Sequence, residues 1–405
     1  MRARFRALKH TWKLIVLISL VILVFCYAMF QGGFVSWFLF YSFLPFAVYS
    51  LAIAFYPMMN MELQRLLPKQ EYVAGEPLRV RIVLRRETSF PLFYLLAEED
   101  LSGSFRNAVL KQDNKALLFP GFKKEIIFDY AIHELPRGEH YFRSIKLKTG
   151  DLLGLIEKEK KADSEDKILV YPSYTEMIYR PFENHFDQGM AASRERVQRD
   201  TTMAIGVRDY QPGDRFSWIN WKASAKRNDL MTKEFEQRQS HDVLIVMDCA
   251  PEQRFETIVS FTASIARAIL KKGAQAGLLT VSKERTSFPI RSGEAQLQLF
   301  FYHLAKIQPV CTVTMDKVLE AEPFYSGQNV TIMLVTSNLT KALIERAGHL
   351  GQKKGKVTVF LIKNERELPT NEERALKAMG IARGVSIVLV HENQFDSAFS
   401  EVSMQ

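Results

Sequence analysis

A run of 48 residues without one Asp, Glu, Lys or Arg, from Leu14 to Met61, constrains this chain more than any other feature. One residue in four of the whole chain is charged, so the gap needs a reason. A membrane span takes roughly 20 apolar residues, and the run is long enough for two with a turn between them. Gln31, Gly32 and Gly33 break it, which gives Leu14 to Phe30 as the first span and Phe34 to about Tyr56 as the second. The first carries a dozen Leu, Ile, Val and Phe residues. Each favours insertion by about 0.5 kcal/mol, on the order of 6 kcal/mol together. Pro45 in the second span is tolerable where a neighbouring helix packs against it. Trp12 and Trp37 fall near span ends, where an aromatic belt places them.

The flanks set the orientation. Arg2, Arg4, Arg6, Lys9 and Lys13 precede the first span with no acid among them, and Arg65 and Lys69 follow the second. The turn between the spans carries no charge. Basic flanks stay inside, so both ends of the hairpin are expected in the cytoplasm, with all that follows soluble there. A cleaved signal peptide is the competing reading. The first run is long for one, no small-residue cleavage pattern closes it, and a second span follows at once.

The roughly 345 remaining residues suit two domains with cores of their own. Of the net charge of +9, five units lie in the first thirteen residues, so the rest is only mildly basic. That suits apposition to an anionic bilayer. Cys26, Cys249 and Cys311 follow no disulfide or metal pattern, in keeping with a reducing compartment.

From 61 to 172 the apolar period is two. Leu78 to Leu84, Lys124 to Tyr130 and Tyr141 to Leu147 alternate between Gly- and Pro-rich turns, the signature of a β-sandwich. Lys158 to Lys167 reads as a charged loop leading to a strand at Ile168 to Tyr171. From 241 to 405 strands and helices alternate. Asp242 to Met247, Ala276 to Ser282, Val330 to Val335, Val357 to Ile362 and Val385 to Val390 are short apolar runs typical of strands buried on both faces. Helices are expected at Phe255 to Lys272, Ala295 to Ile307, Lys341 to Leu350 and Asn371 to Met379. Such alternation implies a doubly wound, mostly parallel sheet.

Between these regions, 173 to 240 holds the most distinctive run, Val207 to Arg227. Arg208, Tyr210, Gly213, Asp214, Ile219, Trp221, Ser224 and Ala225 occupy the positions of an R-x-Y-x-x-G-D-x-x-R-x-I-x-W-x-x-S-A-R pattern, followed by an acid at Glu234 or Glu236. Arg215 comes two places early, Asn220 stands where Asp is usual, and Lys226 stands for Arg. With Arg137-Gly138 and Asp151-x-x-Gly154-Leu155 earlier in the chain, this resembles the bacterial family known as domain of unknown function fifty-eight, or YeaD-like. The resemblance spans the chain, including the paired spans. It implies a membrane-anchored multidomain protein: two transmembrane helices, a β-sandwich, the signature segment, then an α/β doubly wound von Willebrand factor A-like domain. It also implies the bacterial cell membrane as location. Relatives stand beside MoxR-type AAA+ ATPases and transglutaminase-like membrane proteins, so such an ATPase, the lipid bilayer and a transglutaminase-like protein are the expected partners.

Von Willebrand A-like domains hold Mg²⁺ through D-x-S-x-S after the first strand, a hard oxygen site. Here the segment is Asp248-Cys-Ala-Pro-Glu252, with Ala250 and Glu252 in place of both serines. Asp248, Glu252 and Thr336 could hold a metal only in an altered arrangement, so no cofactor is expected. The plain alternative is that Asp248 accepts backbone hydrogen bonds in its loop.

Arg208, Tyr210, Gly213, Asp214, Arg215, Trp218, Trp221, Lys222, Ser224 and Lys226 are the candidate partner-binding residues. Trp218 and Trp221, three apart, would share a helix face and anchor the segment to an apolar core. Nucleic acid is not expected: seven acids offset ten basic residues between Arg194 and Arg238. No P-loop, G-x-S-x-G elbow or H-E-x-x-H is present. The expected function is therefore non-catalytic, an adaptor; a metal-dependent binder or enzyme around Asp248, Cys249 and Glu252 is the alternative.

Overall fold

The computed structural model describes residues 2–58, 61–101, 115–180, 204–211, 214–235, 242–321, 330–392 and 394–399. The chain divides into two compact units, Met1–Ser173 and Tyr174–Gln405.

The charge-free run forms two helices, α1 (Arg2–Gln31) and α2 (Phe34–Phe55). Trp12–Gln31 and Phe34–Phe55 are both long and apolar enough to cross a membrane. At 1.5 Å per residue α2 is about 33 Å long, against a hydrocarbon core of about 30 Å. Gly32 makes the turn with φ +60°, a left-handed conformation that side chains disfavour. Phe25 of α1 packs on Trp37 and Phe40 of α2.

The rest of this unit is two sheets around one core. One has strand order β1-β3-β6 and the other β2-β8-β7-β4-β5. The strands are β1 (Met61–Leu66), β2 (Glu71–Val73), β3 (Leu78–Arg86), β4 (Leu95–Leu101), β5 (Lys115–Leu118), β6 (Glu125–Ile132), β7 (Gly138–Gly150) and β8 (Glu157–Tyr171). Neighbours are antiparallel except β2 and β8. Alternate residues of β3, Leu78, Val80, Ile82 and Leu84, face Phe142, Ile145 and Ile168 of the other sheet. The expected charged loop at Lys158 to Lys167 is in fact the first two thirds of β8. Its charges mark no loop because the long β7 supplies a hydrogen-bonded partner from Gly150↔Glu157 onward, with Glu157, Glu159, Lys161, Asp163, Glu165 and Lys167 exposed and Lys158, Lys160 and Asp166 half-buried.

The second unit holds β9 (Ala204–Asp209), α3 (Trp221–Arg227), β10 (Met231–Phe235), β11 (Asp242–Met247), α4 (Phe255–Lys271), β12 (Gln275–Val281), β13 (Arg285–Arg291), α5 (Glu294–Lys306), α6 (Met315–Ala321), β14 (Val330–Thr336), α7 (Lys341–Lys354), β15 (Val357–Lys363), α8 (Asn371–Ala382) and β16 (Val385–His391). Six strands form a sheet of order β13-β12-β11-β14-β15-β16. All pairs are parallel except the edge pair β12–β13. Both faces are covered. Val243, Ile245 and Met247 of β11 pack with α4 and α5, while Leu244 and Val246 pack with α6 and α7. This is why the strands read as unbroken apolar runs. Chain addition reverses direction at β11, so the carboxyl ends of β11 and β14 flank a switch point, the usual ligand position in open α/β sheets.

Candidate functional site

The signature segment folds on itself. β9 and β10 pair antiparallel, Asp209 opposite Met231 and Val207 opposite Lys233. A 3₁₀ turn (Phe216–Trp218) and α3 close the loop between them. Asn220 caps α3: its Oδ1 accepts from the Ala223 N–H at 3.2 Å. Ser224 Oγ donates to the Asn220 carbonyl (3.0 Å) and accepts from the Met231 N–H (2.9 Å), joining helix to strand. Asn228 ends α3 at φ 57°. Arg208 donates to Asp214 Oδ1 at 2.7 Å, and the Gln211 N–H to Oδ2 at 3.0 Å. These bonds, Arg208 first and then the Gln211 N–H, hold the Asp214 carboxyl below its ordinary value. Tyr210 is half-buried, and its N–H donates to the Leu230 carbonyl at 2.9 Å. Gly213 lies outside the described residues, as do Glu236 and the side chain of Glu234.

The tryptophan expectation is overturned. Trp218 ends the 3₁₀ turn and Trp221 begins the helix, so they share no helical face. Trp221 is 66% exposed and Phe216 76%. Trp218 is half-buried, with the Arg215 guanidinium over its ring at 5.5 Å. What fills the interior is Ile219 and Met231. The small β–α–β unit therefore turns its largest aromatics outward. Val207 and Leu230 are also exposed, and so are Lys222, Lys226 and Arg227. Sequence alone hid Phe216, Val207 and Leu230, because only the fold shows that so small an interior has no room for them.

The strand-end crevice is arranged differently from the expected ligand set. The Asp248 carboxylate is occupied on both oxygens: Oδ1 accepts from the Ala250 N–H (3.0 Å) and Oδ2 from Thr336 Oγ1 (2.7 Å). Glu252 turns aside and accepts from Ser337 Oγ. Among the described residues no group of three or more His, Cys, Asp or Glu side chains could hold a metal ion. These donors do not fit Mg²⁺, which needs several oxygens free to converge. Cys249 is buried, its Sγ 3.6 Å from the Met247 carbonyl.

Beside them runs an ion-pair chain that the sequence reading missed. Lys363, only 3% exposed, ends β15 and contacts Glu373 at 2.6 Å and Glu367 at 3.0 Å. Glu367 also binds Arg254 at 2.7 Å. Burial works to lower the Lys363 ammonium, yet its bonds to Glu373 and Glu367 hold it above the ordinary lysine value. The available signal was a single charge closing an otherwise apolar strand, Val-Thr-Val-Phe-Leu-Ile-Lys.

Residues 206–400 match the family described as protein of unknown function DUF58. The protein YeaD of Bacillus subtilis (strain 168), described as uncharacterized, is 39% identical over 373 residues, 90% of this chain and 92% of that protein. The chain belongs to the DUF58 family. Among solved structures, proximal thread matrix protein 1 of the mussel byssus is 12% identical, covering 41% of this chain and 46% of that one, with a TM-score of 0.28. Spo0M, the sporulation control protein of Bacillus subtilis, is 13% identical over 27% and 49%, with a TM-score of 0.15. Neither score reaches that of a shared overall fold. Within the DUF58 match lie most of the described signature unit and the whole six-stranded sheet.

Proposed function

We propose that this DUF58 protein is a non-catalytic adaptor, held in the bacterial cell membrane by α1 and α2. In this reading both helices cross the bilayer and the remaining chain faces the cytoplasm. The six-stranded sheet is a von Willebrand factor A-like domain. The signature unit presents the docking surface for a MoxR-type AAA+ ATPase, and a transglutaminase-like membrane protein is a further candidate partner. One observation carries the proposal: Phe216 and Trp221 stand exposed on a small, internally bonded unit on which Lys222, Lys226 and Arg227 are exposed too. Large aromatics are enriched in protein–protein interfaces and anchor them. At the strand-end crevice Asp248 accepts from Thr336 and Glu252 from Ser337, bonds that suit carboxylates ordering their own loops.

The test is co-purification of the full-length protein from solubilised membranes, with and without ATP, comparing wild type with a Phe216→Ser/Trp221→Ala double variant. Recovery of an AAA+ ATPase by the wild type, reduced about tenfold or more in the variant, is the expected outcome for the loss of two anchoring aromatics. Equal recovery by both proteins would remove the signature unit from the interface. Failure of either to retain an ATPase would sink the partnership.

A further inference from the structure

The β-sandwich grips the last two turns of α2, and the grip fixes where its loops must lie. Tyr49 is six residues, about 9 Å, before the end of the helix. Its hydroxyl donates to the Pro91 carbonyl at 3.0 Å and accepts from the Phe93 N–H at 3.3 Å, and its ring packs on Phe90 and Phe93. One residue on, Ser50 Oγ donates to Asp151 at 2.6 Å, and both groups are buried. Asp151 also accepts from the Ile156 N–H at 2.9 Å, which fixes the Asp151-Leu-Leu-Gly-Leu155 loop. Lys158 donates to the Tyr56 carbonyl, and Lys13 of α1 pairs with Glu157.

A second loop is locked to the first. Leu92 and Gly121 exchange backbone hydrogen bonds. The buried Arg86 guanidinium donates to the carbonyls of Phe90, Gly121 and Lys123. The loop so held carries Phe119 and Phe122, which are 72% and 71% exposed. Lys123 and Lys124 beside them are exposed, while the nearby acids Glu125 and Glu157 are paired with Arg85 and Lys13. Exposed phenylalanines on a rigid loop, followed by lysines, at the level of a helix's last turns match a membrane interface. The headgroup layer on each side of a bilayer is roughly 5–7 Å deep, comparable to the length of α2 that the sandwich embraces.

We propose that this end of the sandwich is a lipid-binding surface: Phe119, Phe122 and Phe93 insert among the headgroups and upper acyl chains of the cytoplasmic leaflet. Lys123 and Lys124 meet anionic headgroups there. The sandwich is then a membrane-seated collar around the hairpin. This rests on the reading that α1 and α2 span the bilayer, and it adds that the loops are immersed with them.

The experiment uses the full-length protein in vesicles of phosphatidylethanolamine and phosphatidylglycerol, in a Cys26→Ser background. Single cysteines are placed by Phe119→Cys, Phe122→Cys, Tyr141→Cys and Leu23→Cys and labelled with a fluorophore. Lipids carrying a nitroxide high or low on the acyl chain are the quenchers. Tyr141, at the opposite end of β7, is the aqueous reference, and Leu23, exposed in the middle of the first span, reports spanning. The expected result is quenching at 119 and 122 by the shallow nitroxide at least threefold stronger than at 141, with Leu23 quenched by the deep one. Quenching at 119 and 122 no stronger than at 141, with Leu23 quenched, overturns the immersed loops and leaves the spanning hairpin standing. An unquenched Leu23 overturns both.

Discussion

Arg86 and Glu99 show how single buried charges shape the sandwich. Arg86 is satisfied by three backbone carbonyls from two loops, a fork that only a guanidinium supplies. Arg86→Lys leaves two of these carbonyls without a donor and should destabilise the chain by about 3 kcal/mol, read as a fall in the denaturation midpoint in detergent. Glu99 contacts Arg65 at 2.7 Å and accepts from Tyr130, with Asp166 sharing the same guanidinium. Burial outweighs Arg65 and pushes the Glu99 carboxyl up to about 7. The folded chain then holds this proton between roughly pH 4.5 and 7 while the unfolded chain releases it. The stability this contributes is fully present below pH 4.5 and is lost as pH rises through 7, at no more than about 1.4 kcal/mol per pH unit. The difference in unfolding free energy between wild type and Glu99→Gln should therefore slope across that window and be flat above it. A difference that stays level from pH 4.5 to 8 would contradict the raised value. Neither role was legible from sequence. Arg86 and Glu99 sit in alternating strands beside the exposed Arg85 and the half-buried Glu98, and only register decides which charge faces inward.

Elements explain what sequence could and could not reveal. The apolar runs at 242–247, 330–336, 357–363 and 385–391 announced a sheet covered on both faces, because a strand buried on two sides has no polar alternative. β8 stayed hidden over Glu157 to Lys167 because nothing local distinguishes a charged strand from a charged loop; its partner β7 decides. The signature unit was legible as a motif and illegible as a surface. Asn220 and Ser224, which stand in the motif, turn out to hold the unit together, whereas Trp221 faces solvent. Two substitutions separate these roles. Asn220→Ala removes the cap of α3 and should cost the unit about 1 kcal/mol, seen as faster cleavage between 204 and 235 in limited proteolysis. Asn220→Asp keeps an accepting oxygen and adds a negative charge at the helix start, so proteolysis should slow or stay unchanged. Faster cleavage of the Asp variant would mean that the amide's own N–H₂ makes a contact the cap reading leaves out.

At the scale of the whole molecule, the two long apolar helices place the chain at a membrane only if they cross it, and the direction of crossing decides which compartment the signature unit and the sheet occupy. In the proposed reading, the basic residues in the first turns of α1 and those after α2 put both on the cytoplasmic side. The cysteines make this testable with little background. Cys249 and Cys311 are buried, and Cys26 lies within the first span, so the unaltered protein should react poorly with a membrane-impermeant maleimide. Gln31→Cys introduces a thiol at the turn between the helices without disturbing the left-handed Gly32. If both ends are inside, this variant should label in intact cells, while a cysteine placed at Lys222 on the exposed signature helix should label only after the membrane is opened. The opposite pattern would put the signature unit outside the cell, beyond reach of any ATP-driven partner, and would end the adaptor proposal along with the orientation. Labelling of both positions in intact cells would mean that the helices do not form a membrane-crossing hairpin at all.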